Sequence, residues 1–332
     1  MQIVTDLHRF KASPSKPLIL ALGNFDGFHR GHRELLRYVV RQAKQRGALA
    51  AVFTFREHPH SILHPDRKPL MLTSVEQKLF FLARSGADFC FLQSFTPTFA
   101  AMTPETFVRK VLVRKLRVRE VCMGYDAHFG QGRRGDTNMM AQLAEECGFL
   151  FRKMEPVRVG REPVSSSRIR ALLMKGKVRQ AQECLGRPFS MFGKVIHGKG
   201  HGSHLNAPTA NLEVHSEIIL PLGVYEASGR VLPERAIAPR FGKFELPRKM
   251  PPWLPGVTNF GKRPTYPAFE SPRPVLELHL LDFHGNIYGE MMEIALHRFL
   301  RPERKFGDEE ALKRQIRRDI QTARRSYKRG IF

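Results

Sequence analysis

The first 185 residues of the chain alternate short apolar runs with segments of helical periodicity. The apolar runs have the length and composition of buried strands and lie at 18–22, 49–55, 87–92, 120–124 and 149–155. Apolar positions at helical spacing separate them near 33–46, 74–85, 104–115, 136–147 and 167–175. This alternation predicts an α/β fold with a parallel, doubly wound sheet, in which the ligand lies beyond the carboxyl ends of the strands.

The pattern changes after Gly186. Residues 187–300 are rich in glycine and proline, their apolar segments are short and alternating, and helical periodicity returns only at 308. These features predict a small antiparallel β-barrel closed by a C-terminal helix. We therefore expect a Rossmann-like domain over 1–186 and a barrel domain over 187–332. The basic, proline-rich stretch 233–255 is interpreted as an inserted loop.

Among the features of composition, the net charge is the most informative about possible ligands. The chain of 332 residues carries 55 Lys and Arg against 31 Asp and Glu, a formal net charge of +24. Such an excess indicates anionic partners, and nucleic acid is the first to consider. However, much of the charge lies in helical segments at 109–120 and 313–329, and the sequence has no RNP motif, zinc finger or basic strand interleaved with aromatic residues. We therefore expect small anionic ligands rather than a specific nucleic acid.

Other features predict a cytoplasmic protein. No apolar run approaches the ~20 residues that span a bilayer, and the N-terminus lacks the apolar segment of a signal peptide. The four cysteines are scattered without a C-x-x-C pair, which argues against a structural zinc site and a disulfide framework. The expected state is a monomer or weak homo-oligomer with no membrane partner.

The most informative motif lies between the first strand and the first helix. Gly23 and Gly27 let the backbone approach a ligand, and His29 and His32 follow where the helix begins. A helix N-terminus offers unpaired N–H groups and a positive dipole end, so it favours an anion such as phosphate. The imidazoles can add hydrogen-bond donors as phosphate charge grows during a reaction. A glycine-rich turn alone would be a weak signal, and a single histidine there is more often a helix cap.

Two further segments follow predicted strands. Phe55 and Pro59 come after the second strand, and Asp126 and Phe129 lie in a glycine-rich segment after the fourth. Because the carboxyl ends of parallel strands share one edge of a sheet, these residues are expected to meet the first motif in one cleft. Taken alone, Asp126 could be an ordinary turn residue.

Another helix start carries serine and arginine. Ser166 and Ser167 directly precede Arg168, with Arg170 close behind. Serine is a good helix cap, and arginine binds phosphate through paired hydrogen bonds, so the segment is a second position suited to anions. Without the histidine motif upstream, a capped surface helix would be the better interpretation.

The second domain contains two motifs of its own. The segment 193–214 combines spaced glycines with Pro-Thr-Ala-Asn at 208–211. The segment 274–289 alternates, so that leucines face one side of a strand and Glu277 and His279 face the other. A single glutamate on the polar face of a strand is usually solvated. Glu277 is a candidate functional residue only because of the sequence pattern of the segment 274–289.

Together these motifs resemble, in order and over about residues 18–325, the family of bacterial bifunctional riboflavin kinase/FMN adenylyltransferases. GNFDGFHRGH is similar to the nucleotide-binding turn of the FAD synthetase module, and PTAN with ELHLLDF is similar to the riboflavin kinase barrel. The resemblance implies that the barrel phosphorylates riboflavin to FMN with ATP and Mg²⁺. It also implies that the first domain adenylylates FMN with ATP to give FAD and pyrophosphate.

For FAD synthesis, the resemblance implies three groups of residues. The catalytic residues would be His29, His32 and Arg168. The nucleotide would be bound by Gly23, Asn24, Phe25, Asp26, Gly27, Ser166, Ser167 and Arg170. The flavin would be bound by Phe55, Pro59, Asp126 and Phe129.

For the kinase reaction, the resemblance implies that Glu277 is the general base for the riboflavin hydroxyl. Thr209 and Asn211 would supply oxygen ligands to Mg²⁺. The remaining residues would bind the nucleotide, at Gly198 and Gly202, or the flavin, at Arg301 and Phe306.

Two alternatives remain at this stage. Asn206-Ala207 replaces the Gly-Phe that precedes PTAN in the family, so the barrel could bind flavin yet phosphorylate poorly, leaving a monofunctional FAD synthetase. Alternatively, the high charge could belong to a nucleic-acid-binding protein that keeps the fold.

Overall fold

The computed structural model of the protein contains two compact units. The first is formed mainly by Met1–Met71 and Val75–Ser165, and the second mainly by Ser166–Ile237 and Pro247–Phe332. The second unit begins before residue 186, and the domain boundary there stays a prediction. The structure describes residues 1–13, 15–60, 66, 69–197, 209–214, 219–233, 242–262 and 274–329.

A parallel sheet forms the centre of the first unit. Its strands are β1 (Gln2–Val4), β2 (Leu18–Leu22), β3 (Leu49–Phe55), β4 (Phe89–Gln93), β5 (Val118–Gly124) and β6 (Leu150–Met154). They run in the order β1-β4-β3-β2-β5-β6, and every neighbouring pair is parallel. The predicted strands are confirmed, whereas the three-residue edge strand β1 was not predicted. The order reverses between β2 and β5, where such a sheet opens a ligand crevice.

Helices cover this sheet, so that every residue of β2 is buried. Leu18 and Leu20 share one core cluster with Phe107 and Leu112, which lie on a π-helix at Phe107–Lys115. The regular helices are α1 (Arg30–Gln45), α2 (Val75–Arg84), α3 (Pro97–Ala100), α4 (Pro104–Thr106) and α5 (Thr137–Cys147). A separate hairpin pairs β7 (Arg158–Val159) with β8 (Glu162–Pro163), and short 3₁₀ turns span Leu7–Arg9 and Gln131–Arg133.

The second unit is a closed antiparallel barrel, as predicted. It begins with helices α6 (Ser166–Met174) and α7 (Val178–Leu185). Its strands are β9 (Phe189–Ile196), β10 (Ala210–Val214), β11 (Gly223–Leu232), β12 (Leu254–Lys262), β13 (Pro274–Leu280) and β14 (Met291–Pro302). They close in the order β10-β13-β12-β11-β14-β9. Helix α7, which was not predicted, lies against β14 and β9.

The C-terminal helix α8 (Glu309–Lys328) closes this unit, which confirms the prediction. Asp308 caps it by accepting a hydrogen bond from the Ala311 N–H at 2.6 Å. Its residue Ala323 packs against Val224 and Val257 of the barrel. Among the described residues, no helix has both the length and the apolar character needed to cross a membrane.

A buried ion pair joins neighbouring barrel strands. Glu293 on β14 accepts hydrogen bonds from the Arg230 Nε at 2.9 Å and from the Ser190 hydroxyl at 2.8 Å. The Arg230 guanidinium lies 4.3 Å from the ring centroid of Trp253. Both charged side chains are buried, so the pair depends on each partner being present.

Removal of the Glu293 carboxylate should destabilise the barrel. Glu293→Ala leaves a buried guanidinium without its partner, which typically costs about 3–5 kcal/mol. We expect thermal unfolding followed by circular dichroism to show a lower transition temperature for this variant. The double variant Arg230→Met/Glu293→Leu should recover much of the loss, because it removes both charges and fills the space. A single variant as stable as the wild type would contradict this account.

Candidate active sites

The turn between β2 and α1 has an unusual backbone. Phe25 and Phe28 have φ values of 53° and 42°, and Gly27 has a φ of 77°. Positive φ is uncommon for non-glycine residues and strains an aromatic residue. The Phe28 N–H donates to the Phe25 carbonyl at 3.3 Å, and the Thr54 hydroxyl on β3 donates to the Asn24 carbonyl at 3.1 Å. The neighbouring strand therefore holds the predicted nucleotide-binding turn in one shape.

The two histidines lie together at the start of α1. His29 is the N-cap, and its Nδ1 accepts a hydrogen bond from the His32 N–H at 3.4 Å. The two rings stack with centroids 3.6 Å apart, and Phe25 packs on His32 with centroids 5.1 Å apart. Because Nδ1 of neutral His29 is the acceptor, its proton is assigned to Nε2, which can donate to a ligand. The interpretations of His29 as a cap and as a phosphate contact are therefore compatible.

Burial sets the charge of both imidazoles. Burial lowers the pKa of His29 to about 4. It also lowers the pKa of His32 well below its usual range, with smaller contributions from the charges of His29 and Lys78. Both rings are therefore neutral near pH 7 without ligand. No residue in the described part of the chain hydrogen-bonds to the buried Nδ1 of His32.

Residues predicted to bind flavin follow the strands on either side of β2. Phe55 ends β3, and its ring makes edge contacts with Phe95 and Phe99 at centroid distances of 5.2 and 5.7 Å. Pro59 lies in the segment that follows, and exposed Asp126 lies two residues after the end of β5. Since β3, β2 and β5 are neighbours, the structure confirms that these motifs follow adjacent parallel strands.

Phe129 is buried inside the loop after β5. The residue is 8% exposed, and the centroid of its ring lies 6.1 Å from that of Phe107. Its backbone exchanges hydrogen bonds of 2.9 and 3.0 Å with Gly135. A Cβ atom on Gly130, which has a φ of 70°, would lie 2.6 Å from Pro104. These contacts assign Phe129 a part in shaping the loop, and its contact with flavin stays a prediction.

The serine and arginine residues lie on α6. Ser166 and Ser167 are the first two residues of this helix, and Arg168 and Arg170 are half-buried. Since α6 belongs to the second compact unit, the convergence of these residues with the histidine turn stays a prediction.

The barrel aligns three polar residues across neighbouring strands. Asn211 on β10 is paired with Glu277 on β13, which is paired in turn with Asn259 on β12. Directly opposed residues in antiparallel strands have Cβ atoms about 5 Å apart on the same face. The register therefore brings the predicted metal ligand Asn211 beside the predicted base Glu277. It also adds Asn259, which the sequence did not single out because register is not visible in the local pattern.

The predicted flavin-binding residues at the end of β14 and after it are also brought together. The Arg301 guanidinium donates to one oxygen of Asp319 on α8 at 3.0 and 2.8 Å and lies 5.7 Å from the Phe306 ring centroid. Thr209 lies just before β10. The predicted nucleotide-binding residues Gly198 and Gly202, and the pair Asn206-Ala207, lie outside the described residues, as does part of 233–255.

Comparisons with known proteins cover both units. The FAD synthetase family matches residues 11–168, and the riboflavin kinase family matches residues 185–327. The bifunctional riboflavin kinase/FMN adenylyltransferase of Escherichia coli K12 is 33% identical over 327 residues, and that of Haemophilus influenzae is 31% identical over 324 residues. Each alignment covers 98% of both chains.

The fold is also shared with a solved structure. A crystal structure described as that of a macrolide-efflux protein from Streptococcus pneumoniae has a TM-score of 0.80 and 25% sequence identity. The match covers 97% of this chain and 98% of that one, so the likeness extends over both units. With two family matches in order and relatives aligned over nearly their whole length, the chain belongs to the family of bifunctional riboflavin kinase/FMN adenylyltransferases.

Proposed function

We propose that the two units carry out consecutive steps of flavin cofactor synthesis. The barrel transfers a phosphoryl group from ATP to riboflavin, and the first unit transfers an adenylyl group from a second ATP to the resulting FMN. The observation that supports this division is that each unit contains its own arrangement for phosphate chemistry. The first has stacked histidines at a helix N-terminus, and the second has Glu277 between two asparagines across three strands.

Adenylyl transfer joins an FMN phosphate oxygen to the α-phosphorus of ATP and releases pyrophosphate. Positioning and charge stabilisation suffice, because no covalent enzyme intermediate is needed. The backbone N–H groups at the start of α1 and the Nε2–H of His29 donate to phosphate oxygens as their charge changes. Arg168 and Arg170 would neutralise the triphosphate from α6.

In the kinase reaction, the hydroxyl of riboflavin attacks the γ-phosphorus of ATP, which forms the phosphate ester of FMN and breaks the bond to the bridging oxygen, so that ADP leaves. Glu277 accepts the hydroxyl proton, which is the role expected of a carboxylate beside a reacting oxygen. The hydroxyl of Thr209 and the amide oxygen of Asn211 are hard ligands that fit Mg²⁺, and Asn211 stands directly opposite Glu277. When bound, Mg²⁺ would neutralise charge on the phosphates.

The cellular setting is part of the same proposal. ATP and flavins are the partners, no specific nucleic acid or membrane is required, and the protein acts as a monomer or weak homo-oligomer in the cytoplasm. None of the four cysteines forms a disulfide, and three of them, Cys90, Cys122 and Cys184, are buried. Cysteines outside disulfides suit a reducing compartment.

Substitution of both histidines should stop FAD synthesis selectively. Asparagine can still cap a helix, so His29→Asn/His32→Asn removes the imidazoles while keeping an N-cap acceptor. We expect FMN-to-FAD conversion, measured by chromatography, to fall by about 10²–10³-fold or more. FMN formation from riboflavin should survive, because that reaction belongs to the barrel.

The exposed His8 provides a control, since His8→Asn makes the same chemical change outside the turn. It should leave both reactions unchanged. Loss of FMN formation by the double variant with the fold intact would contradict the assignment of two separate sites.

Substitutions in the barrel should have the opposite selectivity. Glu277→Gln removes the base while keeping size, and should slow riboflavin phosphorylation by about 10²–10⁴-fold. Thr209→Ala should instead raise the Mg²⁺ concentration needed for activity, with partial rescue by excess Mg²⁺. Both variants should still convert FMN to FAD, and Glu213→Gln, an exposed glutamate on β10, is the matched control. A wild-type protein that phosphorylates no riboflavin at any Mg²⁺ concentration would favour the monofunctional alternative.

The neutral state of His29 makes stability depend on pH. Its pKa falls from about 6.5 when unfolded to about 4 when folded, because burial disfavours the cation. The contribution of this residue to stability is therefore complete above about pH 6.5 and is lost as the pH falls towards 4. NMR should show its imidazole signals unchanged from pH 7 to about pH 5. A midpoint near 6.5 in the ligand-free protein would disprove this.

A further inference from the structure

A buried lysine lies behind the histidine turn. Lys78 belongs to α2, a helix whose residues from Gln77 to Ala83 are all buried, and only 2% of Lys78 is exposed. Its Nζ donates to the carbonyl oxygen of Phe55, the last residue of β3, at 2.6 Å. Burial of an ammonium group is costly unless charges and hydrogen bonds compensate. A lysine in this place therefore needs partners that offset the cost.

Those partners come from neighbouring elements. The pKa of Lys78 is lowered by burial, while the negative charges of Asp26 and Glu57 oppose that shift. Asp26 belongs to the turn and is 2% exposed, and Glu57 follows β3. The ammonium group therefore lies where the turn, the end of β3 and α2 come together.

The surrounding packing connects these elements further. The rings of Phe28 in the turn and Phe81 on α2 stack with centroids 5.7 Å apart and an interplanar angle of 9°. The carboxylate of Glu57 accepts a hydrogen bond from the Phe95 N–H at 3.0 Å, which joins the segments after β3 and β4. A shift of Lys78 would therefore displace the backbone that carries both histidines.

The charge of Lys78 also affects the pKa of His32. It is one of the three causes that lower the pKa of that imidazole, after burial and the charge of His29. The groups facing His32 from the elements around it are thus His29 on its own helix start and Lys78 from α2. A fixed cation in this position favours the neutral ring.

We propose that Lys78 is a positioning residue for adenylyl transfer, which ties the end of β3 to the phosphate-binding turn and keeps a fixed positive charge behind its histidines. The Phe55 carbonyl and the near-complete burial leave the ammonium facing protein groups, so it acts through the turn. The inference rests on the proposed assignment of adenylyl transfer to this turn.

The test compares three changes at this position in the full chain. Lys78→Met removes the charge and the hydrogen bond, Lys78→Gln keeps a donor for the Phe55 carbonyl, and Lys78→Arg keeps the charge. We expect Lys78→Met to lower kcat for FMN adenylylation by about 10–100-fold, since small displacements of reacting groups have effects of that size. KM for ATP should change less than kcat. Lys78→Arg should restore most of the activity.

The pH profile separates positioning from simple stabilisation. Removal of the cation takes away one cause that lowers the pKa of His32. The acid limb of the profile of kcat against pH should therefore move to higher pH in Lys78→Met and Lys78→Gln. It should not move in Lys78→Arg. A residue needed only for folding would change thermal stability without moving the limb.

Lys115 provides the matched control, because its Nζ also donates to a backbone carbonyl, that of His8, at 3.1 Å. Lys115→Met should leave the adenylylation rate and its pH profile unchanged. Thermal unfolding followed by circular dichroism reports whether each variant is folded, because riboflavin phosphorylation depends on the other unit. An unchanged kcat and profile in Lys78→Met, or unfolding of both the Met and the Gln variants, would overturn the proposal. A wild-type protein that makes FMN but no FAD would instead count against the function assigned to the turn.

Discussion

The strain in the turn after β2 is offset by the burial of the side chains that carry it. An aromatic residue with positive φ costs on the order of 1–3 kcal/mol. Phe25 is fully buried and Phe28 is 6% exposed, and burial of such a side chain contributes about 1.5–3 kcal/mol. The two quantities are similar, so packing can hold a backbone that the residues would not adopt on their own. The position of His32, which lies against Phe25, depends on that balance.

The barrel uses side-chain ion pairs to hold its closing helix. Arg298 on β14 contacts both Glu226 on β11 and Ser326 on α8. Arg301 pairs with Asp319, seven residues and thus about two turns further back along the same helix. Two neighbouring arginines of one strand thus fix α8 along part of its length. The chain segment that carries Phe306 lies between these two anchored elements, so its path is restricted at both ends.

The elements with strong periodicity could be predicted from the sequence, and those defined by distant contacts could not. The five longer strands of the sheet stand out because each contains a short apolar run, and helix α8 stands out through its helical periodicity. Strand β1 has three residues, too few to show alternation, and exists because it pairs with β4. Motif spacing singled out His29, His32 and Glu277 as candidates, but not Asn259 or Lys78. Asn259 faces Glu277 only through strand register, and nothing local in the sequence marks a lysine as buried.

The distribution of thiols has a practical consequence for labelling. Burial raises the pKa of Cys90 to about 12, and Cys122 and Cys184 are buried as well. Cys147, the last residue of α5, is half-buried, and its sulfur lies 3.6 Å from the Arg109 guanidinium. A thiolate is the form that reacts with maleimides, and solvent access controls the rate. A fluorescent or spin label added to the native chain would therefore attach first at Cys147, at the end of a helix in the adenylylating unit, without any engineered cysteine.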